Sequence, residues 1–320
     1  MTYAQSGHEA SDECFVHRAF LYRTEQDYRD YLLPFISAAV TANQGVLVAV
    51  PTRNLAVLAE GLGSLVAAVV LTDMTEVGRN PSRILGELLS RFVDTHRDQP
   101  VRVIGEPIWP SRSEVEYPAC VEHEALLNRA FTGRDVTVLC PYDASQLDPE
   151  VIADARRTHP VLWQNGILDH NNAAYAPEAM LAHYNQPLLS DPTAVRYTAR
   201  KLGDLAGARA FAGAYAQWFG LSPDQTADLQ LIASELTTAS LTHVGGTCRL
   251  ALWRQDGHVV CEARDDGCLG DPLAGRRPYG SDSDRGHGLY VVNAVADLVR
   301  THTTADGTTI QAYLRLREGP

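Results

Sequence analysis

Short apolar runs that alternate with longer amphipathic segments are the feature that most limits how this chain can fold. Four such runs are Gly45–Val50, Val66–Leu71, Val101–Gly105 and Asp135–Cys140. Segments with helical spacing of apolar residues flank and separate them, at Glu25–Ala42, Asn54–Glu60, Pro81–Arg97, Cys120–Phe131 and Pro149–Arg157. Strands and helices that alternate in this way build a mainly parallel sheet with crossover helices. The first half of the chain is therefore predicted to be an α/β domain.

The domain limits follow from changes in this pattern. Residues 1–14 are small and polar, and they are predicted to be a disordered N-terminus. Residues 185–193 include two prolines and show no periodicity, which is typical of a linker. The predicted domains are residues 15–184 and 194–317.

The second domain shows a different order of elements. Ser222 and Gln225 form a capping box at the start of an amphipathic helix. Asp256-Gly257 and Asp306-Gly307 are tight-turn dipeptides, each between two strand-like segments. A further helix is predicted at Leu289–Val299. Two hairpins combined with helices predict an α+β sandwich.

Charge and composition exclude several classes of protein. The net charge of the 320 residues is −12, so repulsion disfavours direct binding to nucleic acid and to anionic membranes. No run approaches the roughly 20 apolar residues of a membrane span, and no secretion signal is visible. We therefore expect a cytoplasmic protein without a membrane partner. The six cysteines form no C-x-x-C pair and are predicted to be reduced structural thiols, with zinc binding or redox sensing as the alternative.

The order of motifs in the second domain resembles the GHKL ATPase fold, also called the Bergerat fold. The motifs are Glu235-Leu236 on a helix, Asp265-Asp-Gly267 after a hairpin, and Gly286-His-Gly288-Leu289 opening another helix. More narrowly, residues 194–317 are similar to the anti-sigma-factor serine kinases of bacteria. ATP is the cofactor that this resemblance implies.

The resemblance also implies a role for each motif residue. Glu235 corresponds to the general base, and Asp265 to the carboxylate that accepts the adenine amino group. Gly267 corresponds to the position where the backbone approaches the base. Gly286 and Gly288, followed by Leu289, correspond to the loop around the phosphates, where exposed amides near a helix N-terminus attract anions.

One departure from the family pattern affects the expected activity. The family places an Mg²⁺-binding asparagine four residues after the glutamate, and this chain has Ala239 there. Alanine offers no ligand atom, so the Mg²⁺ site is predicted to be weakened although Mg²⁺ often keeps several waters. The domain is thus predicted to be at most an ATP-dependent serine/threonine kinase, with an inactive nucleotide-binding module as the other outcome.

The first domain resembles the MEDS sensory domain, which is related to RecA-like ATPases. The resemblance covers about residues 15–165 and rests on the stretches at His17–Tyr22, Gly105–Pro110, His123–Asn128 and Cys140–Asp143. It implies a RecA-like α/β domain that senses an unknown small molecule. The segment after Val50 lacks the P-loop pattern G-x-x-x-x-G-K-[ST], so ATP hydrolysis by this domain is not expected.

Polar residues near the predicted strand ends are candidates for a sensory pocket. They are His17, Glu106, Trp109, His123, Glu124, Cys140 and Asp143. Imidazole, carboxylate and thiolate groups bind small ligands or metal ions, but scattered histidines are commonly hydrogen-bonded structural residues. No metal-ligand spacing is present, and no metal site is predicted.

These features predict a regulator of a sigma-factor pathway. A small-molecule effector bound by the first domain would control the second domain, whose partner would be a sigma factor or an anti-sigma antagonist protein. We also allow for a homodimer. The alternatives are an active kinase that phosphorylates an antagonist and, from a different class, a small-molecule enzyme seated in the first domain.

Overall fold

The computed structural model describes residues 15–243, 246–277 and 286–316. The predicted disordered segment, residues 1–14, lies outside these ranges. The described residues form a seven-stranded sheet and a five-stranded sheet, each covered by helices. This confirms the predicted combination of an α/β domain and an α+β domain. Within the part of the chain that the structure describes, no helix combines the length and apolarity needed to cross a bilayer.

The first domain is built on the seven-stranded sheet, whose strand order is β3-β2-β4-β5-β1-β6-β7. The strands are β1 (Phe15–Tyr22), β2 (Gly45–Val50), β3 (Val70–Asp73), β4 (Val101–Gly105), β5 (Val136–Asp143), β6 (Val161–Gln164) and β7 (Ile167–Asp169). The helices are α1 (Glu25–Thr41), α2 (Thr52–Leu62), α3 (Met74–Val77), α4 (Pro81–Arg83), α5 (Arg91–Thr95), α6 (Tyr117–Ala130), α7 (Pro149–Thr158) and α8 (Pro177–Tyr184). All neighbouring strands run parallel except β6 and β7.

Strand β1 lies in the middle of this sheet and was not predicted. It pairs with β5 over its whole length, from Phe15 opposite Val136 to Tyr22 opposite Asp143. It is therefore the first strand of the domain. The loop that follows it consists of Arg23 and Thr24, so it also lacks a glycine-rich phosphate loop.

Two other sequence predictions need correction. The strand predicted at Val66–Leu71 starts too early, because Gly63–Ala68 forms a 3₁₀ helix and the strand begins at Val70. The helix predicted at Pro81–Arg97 is interrupted, because Ile84–Ser90 forms a π-helix between α4 and α5.

The second domain is built on the five-stranded sheet, in the order β11-β12-β10-β9-β8. The strands are β8 (Val195–Ala199), β9 (Cys248–Gln255), β10 (His258–Asp265), β11 (Leu298–Thr304) and β12 (Gly307–Arg315), and all pairs are antiparallel. The helices are α9 (Leu205–Phe219), α10 (Pro223–His243) and α11 (His287–Val295). The helix predicted at Leu289–Val299 is correct in type but ends too late, because Leu298 already starts β11.

The two faces of the second sheet are covered by different elements. Side chains of α9, α10 and α11 share one core cluster with β9, β10 and β12. The opposite face contributes Trp253, Leu298 and Tyr313 to another buried cluster, which includes Ala119 of α6. The first domain therefore packs against the sheet of the second domain.

Candidate functional site

A cleft in the second domain brings most of the predicted nucleotide residues together. It encloses about 570 Å³ between α10, β10, β12 and the start of α11. Asp265, Gly267, Gly286 and Leu289 all line it. Its dimensions fall within the range of small-molecule sites in proteins.

Hydrogen bonds fix the conformation of the Asp265–Leu269 segment in this cleft. One carboxylate oxygen of Asp265 accepts the backbone N–H of Gly267 at 2.9 Å. The Thr308 hydroxyl donates to the Gly267 carbonyl at 2.6 Å, and Leu269 N–H donates to the Thr303 hydroxyl at 2.9 Å. Hydrogen bonds within the protein thus hold the segment in place.

The start of α11 needs glycine for steric reasons. Gly286 has φ of 118°, and a Cβ atom there would lie 2.9 Å from the backbone nitrogen of Gly275. Gly275 has φ of 74°, and a Cβ atom there would lie 2.6 Å from the Leu289 Cβ. A side chain at either position would force the backbone apart. The two glycines therefore allow the segment around Gly275 to pack closely against the start of α11.

Glu235 and Gly288 are neighbours in the structure, as the predicted roles of base and phosphate loop require. A Cβ atom on Gly288 would lie 2.9 Å from Oε2 of Glu235. The carboxylate thus lies beside the first turn of α11, where backbone N–H groups point outward.

Ala239 lines the cleft one helical turn after Glu235. Its methyl group provides no metal ligand. Ser240 and Thr242 line the same cleft, and the Thr242 hydroxyl is engaged with the Thr238 carbonyl at 2.8 Å. The position from which a metal would be held in the resembled family therefore carries no carboxamide oxygen.

In the first domain, Glu106 lies beyond the carboxyl end of β4 and is saturated with hydrogen bonds. Asn54 Nδ2 donates to both of its carboxylate oxygens, at 3.0 and 2.9 Å, and the Tyr28 hydroxyl donates at 3.2 Å. Burial raises the pKa of Glu106 to about 8, outweighing these hydrogen bonds, which act in the opposite direction. Glu106 therefore belongs to a buried polar network at the carboxyl end of β4.

Asp143 and Trp109 occupy separate places. Asp143 ends β5 and accepts hydrogen bonds from Ser145 N–H at 2.9 Å and from Gln146 Nε2 at 2.7 Å, so it stabilises a turn. The Arg112 guanidinium stacks on the Trp109 ring at 3.8 Å, which holds the loop before α6. The structure does not bring either residue next to His17.

Three of the predicted pocket residues, His17, Glu124 and Cys140, lie together on the face of the first sheet opposite to Glu106. A fourth residue, which the sequence did not indicate, joins them. His17 on β1, Glu124 on α6, Cys140 on β5 and His159 after α7 place one ligand atom each within 4.8 Å of one another. All four side chains are buried. We call them the His-Glu-Cys-His cluster.

His159 follows Thr158 and precedes Pro160, and no spacing to another histidine or cysteine marked it. Its position in space depends on the packing of α7 against β1 and α6. His123, which was predicted, lies beside Glu124 but outside the cluster. Its Nδ1 atom is buried and has no hydrogen-bond partner among the described residues, and burial lowers its pKa to about 4.

Burial also controls the charge state of the His-Glu-Cys-His cluster. It lowers the pKa of His17 to about 4, and His159 acts in the same direction, so the His17 imidazole is neutral near pH 7. Burial raises the pKa of the Cys140 thiol well above its usual range, and the Glu124 charge adds to this effect.

Helix α6 connects this cluster to the second domain. It is buried on nearly all sides, which is typical of a helix enclosed between two packed bodies. Glu124 points into the cluster, while Ala119 packs on the second sheet. Glu122 forms an ion pair with Arg276 at 2.7 Å, one residue after Gly275. Neighbouring side chains of one helix therefore contact the His-Glu-Cys-His cluster and the second domain.

Two known protein families match separate parts of the chain. Residues 16–160 match the profile of MEDS, the methanogen/methylotroph, DcmR sensory domain. Residues 198–314 match the profile of the histidine kinase-like ATPase domain. No curated protein matches the chain. The chain is therefore a fusion of a MEDS sensory domain with a histidine kinase-like ATPase domain.

Proposed function

We propose that this protein regulates a sigma-factor pathway, with a small molecule bound by the MEDS domain controlling the ATPase-like domain. The chain joins a sensory domain to a kinase-like ATPase domain, and both halves support a role as a signalling regulator. The finer role, in which the second domain binds a sigma factor or an anti-sigma antagonist, follows from the resemblance to anti-sigma kinases.

The shared helix α6 is the observation that carries the proposal. A ligand shifts a conformational equilibrium only by binding one state better than another. Because Glu124 and Glu122 lie on the same helix, a movement of α6 in the first domain changes the Glu122–Arg276 contact in the second. Arg276 adjoins Gly275, whose close contact with Leu289 shapes the cleft.

The cleft itself supports nucleotide binding with a weakened Mg²⁺ site. Asp265 is held in place by Gly267 N–H through one oxygen, and its second oxygen would accept the adenine amino group. Ala239 contributes no metal ligand. We propose that the domain binds ATP with little dependence on Mg²⁺ and acts mainly through protein recognition.

Titration with a fluorescent ATP analogue, with and without Mg²⁺, tests this proposal. In the wild type we expect similar affinities under both conditions. Ala239→Asn should raise affinity in Mg²⁺ by about tenfold, which equals about 1.4 kcal/mol. Thr238→Asn is the matched control, because the same side chain then points about 100° away around the helix. A wild type that binds only with Mg²⁺ would count against the weakened site.

The alternative is an active serine/threonine kinase. The contact between Glu235 and Gly288 favours it, because a general base beside the phosphate loop is what phosphoryl transfer needs. Incubation with radiolabelled ATP and a candidate antagonist would detect it. Transfer that depends on Glu235, with Glu235→Gln inactive, would establish the kinase and overturn the binding-only role.

A further inference from the structure

All four ligand atoms of the His-Glu-Cys-His cluster lie within 4.8 Å of one another, and four of the distances between them are close to those around a tetrahedral metal ion. Oε2 of Glu124 lies 3.1 Å from His17 Nε2 and 3.3 Å from His159 Nε2. Sγ of Cys140 lies 3.4 Å from both His17 Nε2 and Glu124 Oε2. A tetrahedral zinc ion with ordinary bond lengths separates its ligand atoms by roughly 3.3 to 3.6 Å.

Hydrogen bonds outside the cluster orient both imidazoles. Asn128 Nδ2 donates to the Thr158 carbonyl at 2.9 Å, which leaves Asn128 Oδ1 as the acceptor for His17 Nδ1–H at 3.1 Å. His159 Nδ1–H donates to the Ala155 carbonyl at 2.8 Å. Each histidine therefore directs the unprotonated Nε2 of its neutral form into the cluster. Metal-bound histidines in proteins are oriented by hydrogen bonds of the same kind, from the ring nitrogen that does not bind the metal.

Without a cation, the centre of the cluster holds too few protons. Two Nε2 lone pairs and a carboxylate face each other, and the single proton of the Cys140 thiol satisfies only one of them. Among the described residues, the buried atoms His159 Nε2 and Glu124 Oε1 have no hydrogen-bond partner. Buried polar atoms without a partner cost free energy, so a cation at the centre would stabilise this arrangement.

We propose that the cluster is a zinc site, with His17 Nε2, Glu124 Oε2, Cys140 Sγ and His159 Nε2 as its four ligands. A thiolate and a carboxylate supply two negative charges, which a divalent ion neutralises, so the buried site carries no net charge. On binding, the Cys140 thiol releases its proton to solvent as the zinc–sulfur bond forms. Four protein ligands leave no open position, as in structural zinc sites.

This site stands independently of the proposed regulatory function, because its argument uses only the first domain. Its ligands come from β1, α6, β5 and the end of α7. The ion would therefore tie both helices to the two central strands. Removing it should loosen α6, whether or not the second domain binds a nucleotide.

Elemental analysis of the purified full-length chain tests the site. We expect about one zinc per chain, remaining after dialysis against a weak chelator. Cys140→Ser and His159→Gln should lower this to below about one tenth. Cys120→Ser and His123→Gln are matched controls, because both residues are buried on α6 but lie outside the cluster, and they should keep the zinc.

A second measurement needs only the wild type, in case a ligand variant fails to fold. The chain is unfolded with chelator and refolded with Co²⁺, and its absorption spectrum is recorded. Tetrahedral d–d bands with the near-ultraviolet charge-transfer band of a single thiolate support the proposal. Failure to take up either metal, a spectrum without thiolate or with two, or zinc that survives in folded Cys140→Ser would each overturn it.

Discussion

Asn80 links the two domains by hydrogen bonds, so replacing it measures how strongly they are coupled. It is fully buried at the start of α4. Its Nδ2 donates to the Asn293 carbonyl at 2.9 Å, while its Oδ1 accepts Val299 N–H at 3.3 Å and Ser82 N–H at 3.1 Å. Two of its three hydrogen bonds therefore cross from the first domain to the second.

Asn80→Ala removes all three bonds and leaves their buried backbone partners without this side chain. Each net hydrogen bond contributes about 1 kcal/mol, so the free energy of unfolding should fall by about 3 kcal/mol. The two bonds across the domain boundary account for about 2 kcal/mol of this loss. The exposed Asn171 is the control, and its replacement by alanine should change stability by less than about 0.5 kcal/mol.

Urea unfolding, followed by circular dichroism and tryptophan fluorescence, measures the difference. In Asn80→Ala we expect a lower midpoint and two probes that no longer coincide, because the domains then unfold more independently. A loss no larger than that of Asn171→Ala would refute the inference that Asn80 couples the domains. Coincident transitions with a large loss would show that its bonds stabilise only the α4 region.

Two further predictions concern buried groups. Trp253→Ala should cost about 3 to 5 kcal/mol in urea unfolding, because Trp253 is buried between the domains, whereas Trp218→Ala, at a 75% exposed position, should cost far less. Equal losses would contradict this. Glu106 has a folded-state pKa of about 8, so the folded state holds a proton that the unfolded state releases. Wild-type stability should therefore fall by about 1.4 kcal/mol per pH unit between the two pKa values and level off above pH 8, relative to Glu106→Gln. Parallel stability curves for the two proteins would exclude this effect.

The sequence predicts best where one local pattern decides the structure. Strands β2 and β4 have the predicted limits. Strand β2 is buried on both faces and appears as an uninterrupted apolar run, and β4 is interrupted only by the half-buried Arg102. Asp256-Gly257 joins β9 to β10, with φ of 46° and 74° at the two residues, as its turn type requires. Asp265, Gly267, Gly286 and Leu289 lie in one cleft because their motif order follows the ATPase fold.

Long-range packing explains what the sequence did not reveal. Strand β1 reads Phe-Val-His-Arg-Ala-Phe-Leu-Tyr, and His17 and Arg18 interrupt its apolar pattern. His17 can nevertheless be buried, because Asn128 of α6 is its hydrogen-bond partner. In the sequence, His159 comes after helix α7, far from both Cys140 and Glu124. No ligand spacing exists to be recognised, since four different elements each supply one residue.

Helix α6 physically joins the His-Glu-Cys-His cluster to the second domain. A helix at a domain surface would expose one face, yet Glu124 is buried toward the first domain while Ala119 is buried toward the second. Glu122, between these positions, has its charge matched by Arg276 of the other domain. Even a small rotation of α6 that moves Glu124 would therefore displace Glu122 as well, because both residues lie on the same helical turn. Close packing on both sides favours a switch between discrete positions of this helix over gradual deformation.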